Sequence, residues 1–578
     1  LKAQRFLGNR SVLPGGEFGS TGNESGSSSG VYNEGTINLQ GEGGIGIGIL
    51  HSIEKVEVGG IINVKANKSV GVFAGAPVGD IYASHGSGET QITLKNTTVA
   101  SGDNNINIGS SAVGSVGAYV GDTSVDLEDG KLISVADDGT KTTTANAERK
   151  YLRSGDITAD TSSKISVKGT SNYGFVVDNH AYYSEFNTSA KTATDIDVMT
   201  QGSDKTLHGI GINEGEITVS ANKSVGFALI KGGNSKNSGT ISITSGSTGS
   251  IGFYGEQDKF ENSGTIEVTT TDKKKNIGVA LNGKDNKQKI IFTNIKNINI
   301  NSNGTTSTDG STNTGVYAIG NYEFNHNSGN INIGKNATGL YVQGADGVIN
   351  IKAPVNLSES TTDGTTIGFY SDGKANVNFE NGSVLNIGKG AVGLYSSDSG
   401  KFNDTFKIKA GEKLDVSLGD NSTFGFLSGN STSPSLKKYL NNGSTDKINI
   451  TNFGTGATIF FAANNGKALL DGDYTITNGG NASTSVLSAN NGSTVGIDSG
   501  VKLATNTQVG LVATNGGRVN FGGGTITHSE NEAKDHDSST PFNADASSRI
   551  NFTGASSWPF SGSSPRDYYC RGRNCRRP

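Results

Sequence analysis

Cysteine is nearly absent from this chain. The only two, Cys570 and Cys575, fall in the last nine of 578 residues. A body without cysteine excludes a disulfide framework and a cysteine-held metal. Proline is scarce as well, and between residues 31 and 554 it occurs only at Pro77, Pro354, Pro434 and Pro541. That excludes Pro-rich disorder and collagen. It suits a long stack of paired strands, because proline cannot donate to a strand ladder. No apolar run reaches the roughly 18 residues of a membrane helix, so no membrane insertion is expected of this segment. Arginine outside Arg5, Arg10 and the last thirteen residues is confined to Arg149, Arg153, Arg518 and Arg549. Those thirteen residues carry +4 of a net −5, which leaves −9 on the body. Such a surface does not attract nucleic acid or anionic lipid. The chain opens on leucine without a signal peptide, which reads as a window from a longer protein whose targeting signal lies outside it.

Glycine, at 85 residues, is about twice its ordinary share, and Ser, Thr and Asn fill much of the rest. Two phrases organise them. The first is Asn-x-Gly followed by alternating apolar residues, at Asn33 (NEGTINL), Asn213 (NEGEITV), Asn237 (NSGTISI), Asn262 (NSGTIEV) and Asn327 (NSGNINI). The second is an apolar residue or Thr, then Gly, then two mostly apolar or aromatic residues. Examples are VGFA at Gly226, IGFY at Gly252, TGLY at Gly339, VGLY at Gly393 and FGFL at Gly425. From Gly226 to Gly425 these glycines are separated by 26, 26, 37, 24, 29, 25 and 32 residues. "ANKSVG" stands verbatim at both 66–71 and 221–226. A period near 25 with elastic gaps marks a solenoid.

The apolar spacing decides which solenoid. Ile241 and Ile243 alternate with polar residues, as do Ile266 and Val268, and Ile331 and Ile333. Period two means strands, and the Ile, Val, Thr, Phe and Tyr content agrees. Helical repeats would need Leu and Ala at helical spacing. Two clear strands and a weaker third in about 25 residues make one coil of a right-handed parallel β-helix. A single coil cannot bury its apolar face, so each coil must present the same pattern to the next. Residues 31–554 are the expected β-helix, about 20 coils and on the order of 100 Å long. Segment 1–30 reads as a flexible linker or cloning remnant. The basic tail 555–578 reads as a cloning remnant or sequence artefact, with a native basic tail as the alternative. The Asn at 237, 262 and 327 is expected to stack at a turn and bond the amide of the next coil. N-glycosylation at Asn67, Asn96, Asn222 and Asn336 is the competing use of such residues.

These phrases resemble those of very large autotransporter adhesins of Gram-negative bacteria, the fusobacterial ones above all. The resemblance spans most of residues 31–554 and rests on repeat wording and the cysteine-free body. It implies a passenger domain exported through an outer-membrane β-barrel translocator, which is not part of this sequence. It also implies display at the cell surface, anchored at the outer membrane or secreted, as a virulence-associated adhesin. The partners it implies are host or bacterial cell-surface proteins or glycans.

In a solenoid, binding residues are expected on insertions and side faces. The stretch 121–165 holds a helix candidate, ANAERKYLRSG (145–155), with Arg149 and Arg153 on one helical face. A second irregular stretch, 178–208, holds His180, Tyr182 and Tyr183, an aromatic group of the sort that contacts sugar or protein. Tyrosine recurs at Tyr254, Tyr317, Tyr341, Tyr370 and Tyr395, two places after the repeated glycine. Alternation points Ile251 and Phe253 inward and Tyr254 outward. A column of tyrosine on one flank is the expectation, serving coil stacking or an extended ligand surface.

Catalysis is not expected. Asp195 and Asp197 share a strand face and His208 follows, as in polysaccharide-cleaving β-helices. The pattern lacks the adjacent Asp pair, Gly-His-Gly and Arg-x-Lys of pectin hydrolases. "GGIGIGI" (43–49) lacks the Lys-Ser/Thr of a phosphate loop. "DHD" (535–537) is a weak ligand set, and no metal or cofactor is called for. The sequence therefore points to a binding segment, with a passive stalk as the alternative and a polysaccharide-cleaving enzyme as the third reading.

Overall fold

In a computed structural model the chain is all-β, with no helical element among the described residues. Those residues are 31–76, 91–94, 105–122, 127–144, 156–178, 209–428, 447–528, 542–557 and 570–575, with short breaks inside several. They divide into two compact units. One is 1–267 with 286–291, and the other is 268–285 with 292–578.

Each unit is a parallel β-helix. In the first, one coil runs through Gly211–Asn213, Glu216–Val219 and Val225–Lys231. The next repeats it as Ser235–Asn237, Thr240–Ile243 and Ile251–Gly255. Each strand pairs in parallel with its counterpart one coil on, Asn213 with Asn237, Ile217 with Ile241 and Phe227 with Phe253. The three stacks are named sheets A, B and C in coil order. The second unit repeats the plan. Tyr322–His326, Ile331–Lys335 and Thr338–Gln343 pair with Val348–Ile351, Val355–Leu357 and Ile367–Ser371. Alternating residues fill the interior. Ile217, Val219, Ile241, Ile243, Phe227 and Phe253 are all fully buried, each side chain of this kind contributing about 1.5–3 kcal/mol.

The repeated phrases have distinct structural tasks. Asn213, Asn237 and Asn262, each before an Asn-x-Gly turn, end sheet A strands and point inward. Asn213 Nδ2 donates to Asn237 Oδ1 at 2.7 Å, and Asn237 Nδ2 to Asn262 Oδ1 at 2.7 Å. All three are fully buried. The expected amide ladder is therefore present at 237 and 262. It fails at Asn327, which is exposed, while His326 beside it is buried in the ladder position. The repeat wording was one residue out of step there, because this turn holds one more residue than the others.

The glycine of the second phrase stands second in sheet C strands such as Val225–Lys231 and Thr314–Gly320, where neighbouring backbones approach closely. A Cβ on Gly226 would lie 2.7 Å from the Gly252 carbonyl oxygen, and one on Gly315 would lie 2.6 Å from that of Gly339. No side chain fits at those distances, which is why the phrase keeps its glycine. The Ser of ANKSVG has a further role. Ser69 N donates to Ser115 Oγ, Ser115 N to Asn172 Oδ1, Asn172 N to Ser224 Oγ and Ser224 N to Ser250 Oγ, at 2.8–3.2 Å. This ladder satisfies buried turn amides that would otherwise be unpaired.

Candidate functional site

The most regular surface feature is a column of aromatic rings on sheet C of the second unit. It arises from strand alternation. Val316, Leu340, Phe369 and Leu394 are fully buried, and the next residue in each strand, Tyr317, Tyr341, Tyr370 and Tyr395, points out and is half-buried. Strand register places these tyrosines directly opposite one another. Their ring centroids are 5.4, 4.7 and 5.0 Å apart and their planes differ by only 16°, 7° and 12°. Phe426 stacks on Tyr395 at 5.2 Å and 13°, and Phe461 follows it at 5.1 Å with a 48° tilt.

This geometry determines what the column offers a partner. Nearly parallel rings at the strand spacing cover one another's faces. What remains outward is a row of ring edges and phenol ends. The Gln343 amide donates to the Tyr341 hydroxyl at 3.2 Å. At the start of the column, Tyr317 lies opposite Ala280 rather than another ring. The row suits polar, edge-on recognition of an extended ligand better than the face-on stacking of a single sugar.

Tyr254 does not belong to this column. It lies in the first unit and is only 7% exposed, so it offers little surface to a partner. Its strand neighbour is Ala228, which has no ring to stack on, and its hydroxyl donates to Glu256 Oε1 at 2.7 Å. Phe426 and Phe461 were missed by reading from the glycine. In FGFL the glycine, Gly425, pairs with Leu394, one place later than in neighbouring coils. The usable signal was an aromatic residue one coil beyond Tyr395.

Arg149, Arg153, His180, Tyr182 and Tyr183 lie outside the described residues, as do Asp195, Asp197, His208 and residues 535–537. Regular coil strands bracket the two irregular stretches. Val116–Asp122 and Asp156–Ala159 flank the first, and Tyr173–Asp178 and Gly211–Asn213 flank the second. The first contains a three-stranded antiparallel sheet of Leu127–Glu128, Lys131–Val135 and Lys141–Thr144. Of the glycosylation triplets, Asn336 is fully buried, and Asn67 and Asn222 use their side-chain oxygens to accept Val113 N and Thr248 N.

One titratable group inside the second unit is unusual. His326 is fully buried, with Nδ1 3.0 Å from Asn294 Nδ2 and Nε2 3.1 Å from the Pro354 carbonyl oxygen. A neutral ring protonated at Nε2 satisfies both contacts. Burial pushes its pKa down to about 4, against a smaller opposing effect of the Pro354 carbonyl. No group of three metal-binding side chains occurs among the described residues.

Comparison of the chain with protein-family models, with curated proteins and with solved structures gives no match. The geometry therefore defines the class, a parallel β-helix bearing a lateral aromatic column.

Proposed function

We propose that the chain is a cell-surface adhesin segment, a β-helical passenger that attaches to host or bacterial cells through its insertions and side faces. It is a binding protein and not an enzyme. The observation that supports this reading is the half-buried aromatic row, four tyrosines and two phenylalanines at strand spacing on one sheet face. The partners are surface proteins or glycans, and the resemblance in repeat wording supports export through an outer-membrane β-barrel that is not part of this sequence.

The test is binding of the purified protein to host and bacterial cells. Beside it stand a Tyr341→Ser/Tyr370→Ser variant and one in which a short Gly-Ser link replaces residues 123–155. Binding that falls in either variant, with cooperative urea unfolding retained, supports an adhesin and locates its contact. A passive stalk is the second reading, favoured by the rings' stacking on one another. No binding by the intact protein to any cell tested would select it.

A further inference from the structure

The tyrosine column has a chemical consequence separate from binding. Tyr317, Tyr341, Tyr370 and Tyr395 are held with adjacent rings parallel and 4.7–5.4 Å apart. Each is half-buried, so a solvent-borne oxidant reaches it. Register locks every ring beside the same neighbour. The run is bounded by residues that form no phenoxyl radical, Ala280 at one end and Phe426 at the other. We propose that this column is a site of oxidative tyrosine coupling, at which a peroxidase-type oxidant joins neighbouring coils through dityrosine bonds.

The reaction balances with hydrogen peroxide as oxidant. Each of two phenols gives up one electron and one proton and becomes a phenoxyl radical. The radicals join through a new bond between ring carbons ortho to the oxygens, and each ring regains aromaticity as its ortho hydrogen moves to oxygen. Two phenols have then lost two protons and two electrons, which reduce one peroxide to two waters. Stacking favours the step because two radicals on adjacent coils are already neighbours, and small tilts of outward side chains close the remaining gap. The product is a covalent staple between coils in a body that has no cysteine to supply one.

The test treats the folded full chain with peroxidase and hydrogen peroxide, then digests it with trypsin. Lys335, Lys352, Lys374 and Lys389 place each of the four tyrosines in a separate peptide. Mass spectrometry should find monomeric protein with joined peptide pairs lighter by two hydrogens. These pairs should be Tyr341 with Tyr370 and Tyr370 with Tyr395 above all. Tyr370→Phe, which keeps the ring stack, should remove both and spare Tyr317 with Tyr341. In urea the preference should vanish. The proposal is overturned by an absence of dityrosine, by products scattered among the seventeen tyrosines, by coupling only between molecules, or by a preference that survives unfolding.

Discussion

Asn294 Nδ2 lies 3.0 Å from His326 Nδ1, inside the coil, where the first unit pairs asparagine with asparagine. Histidine there carries the ladder on, since its other nitrogen donates to the Pro354 carbonyl. Unlike asparagine, it can take up a proton.

That proton makes the second unit sensitive to acid. The folded-state pKa of about 4 lies below the ordinary 6.5. Between those values the unfolded chain holds the proton and the folded chain does not, so stability is complete above pH 6.5 and falls as pH drops toward 4. The contribution is about 3 kcal/mol. Urea unfolding of the wild type and His326→Asn at pH 7 and pH 4.5 checks it, and the variant should lose less stability between the two.

Asn237→Ala should destabilise the first unit. It removes both ladder bonds of Asn237 and leaves Asn262 Oδ1 without its 2.7 Å donor. Each buried group left unpaired costs about 1–3 kcal/mol. A lowered urea midpoint, with faster exchange of the Ser238 and Gly239 amides that bond Asn213 O, is the expected result.

Gly226→Ala should also destabilise, through crowding. Its Cβ would lie 2.7 Å from both the Gly252 carbonyl oxygen and Ile241 Cγ2. Overpacking of this kind costs about 1–3 kcal/mol. Gly41→Ala, with nothing within 4 Å, should leave the thermal midpoint nearly unchanged.

Tyr370→Ala should cost about 1–3 kcal/mol, because it removes two ring stacks at 4.7 and 5.0 Å. Tyr370→Phe should cost little. Chemical denaturation of the two variants separates stacking from any role of the hydroxyl.

The fold was legible in particular residues. Ile241 and Ile243, spaced by two and repeated at Ile266 and Val268, require an inward row that only a stacked coil can bury. Asn237 and Asn262 announced their bond because identical residues at one period meet in register. Asn327 misled because its turn holds an extra residue, and a repeat read along the chain does not show which residue a longer turn turns inward. Tyr254 misled because outward direction from alternation is not exposure.

The sequence by itself determined the coil, the period and the glycines, since these follow from local alternation and the need of each coil to match the next. Only the tertiary structure decided that His326 replaces asparagine in the ladder, that Tyr254 is buried, and that the four tyrosines turn edges rather than faces to solvent. Each of these depends on what stands one coil away, Asn294, Ala228 or another tyrosine. That neighbour, some 24 to 32 residues distant in the chain, sets the packing of a side chain that alternation alone leaves open.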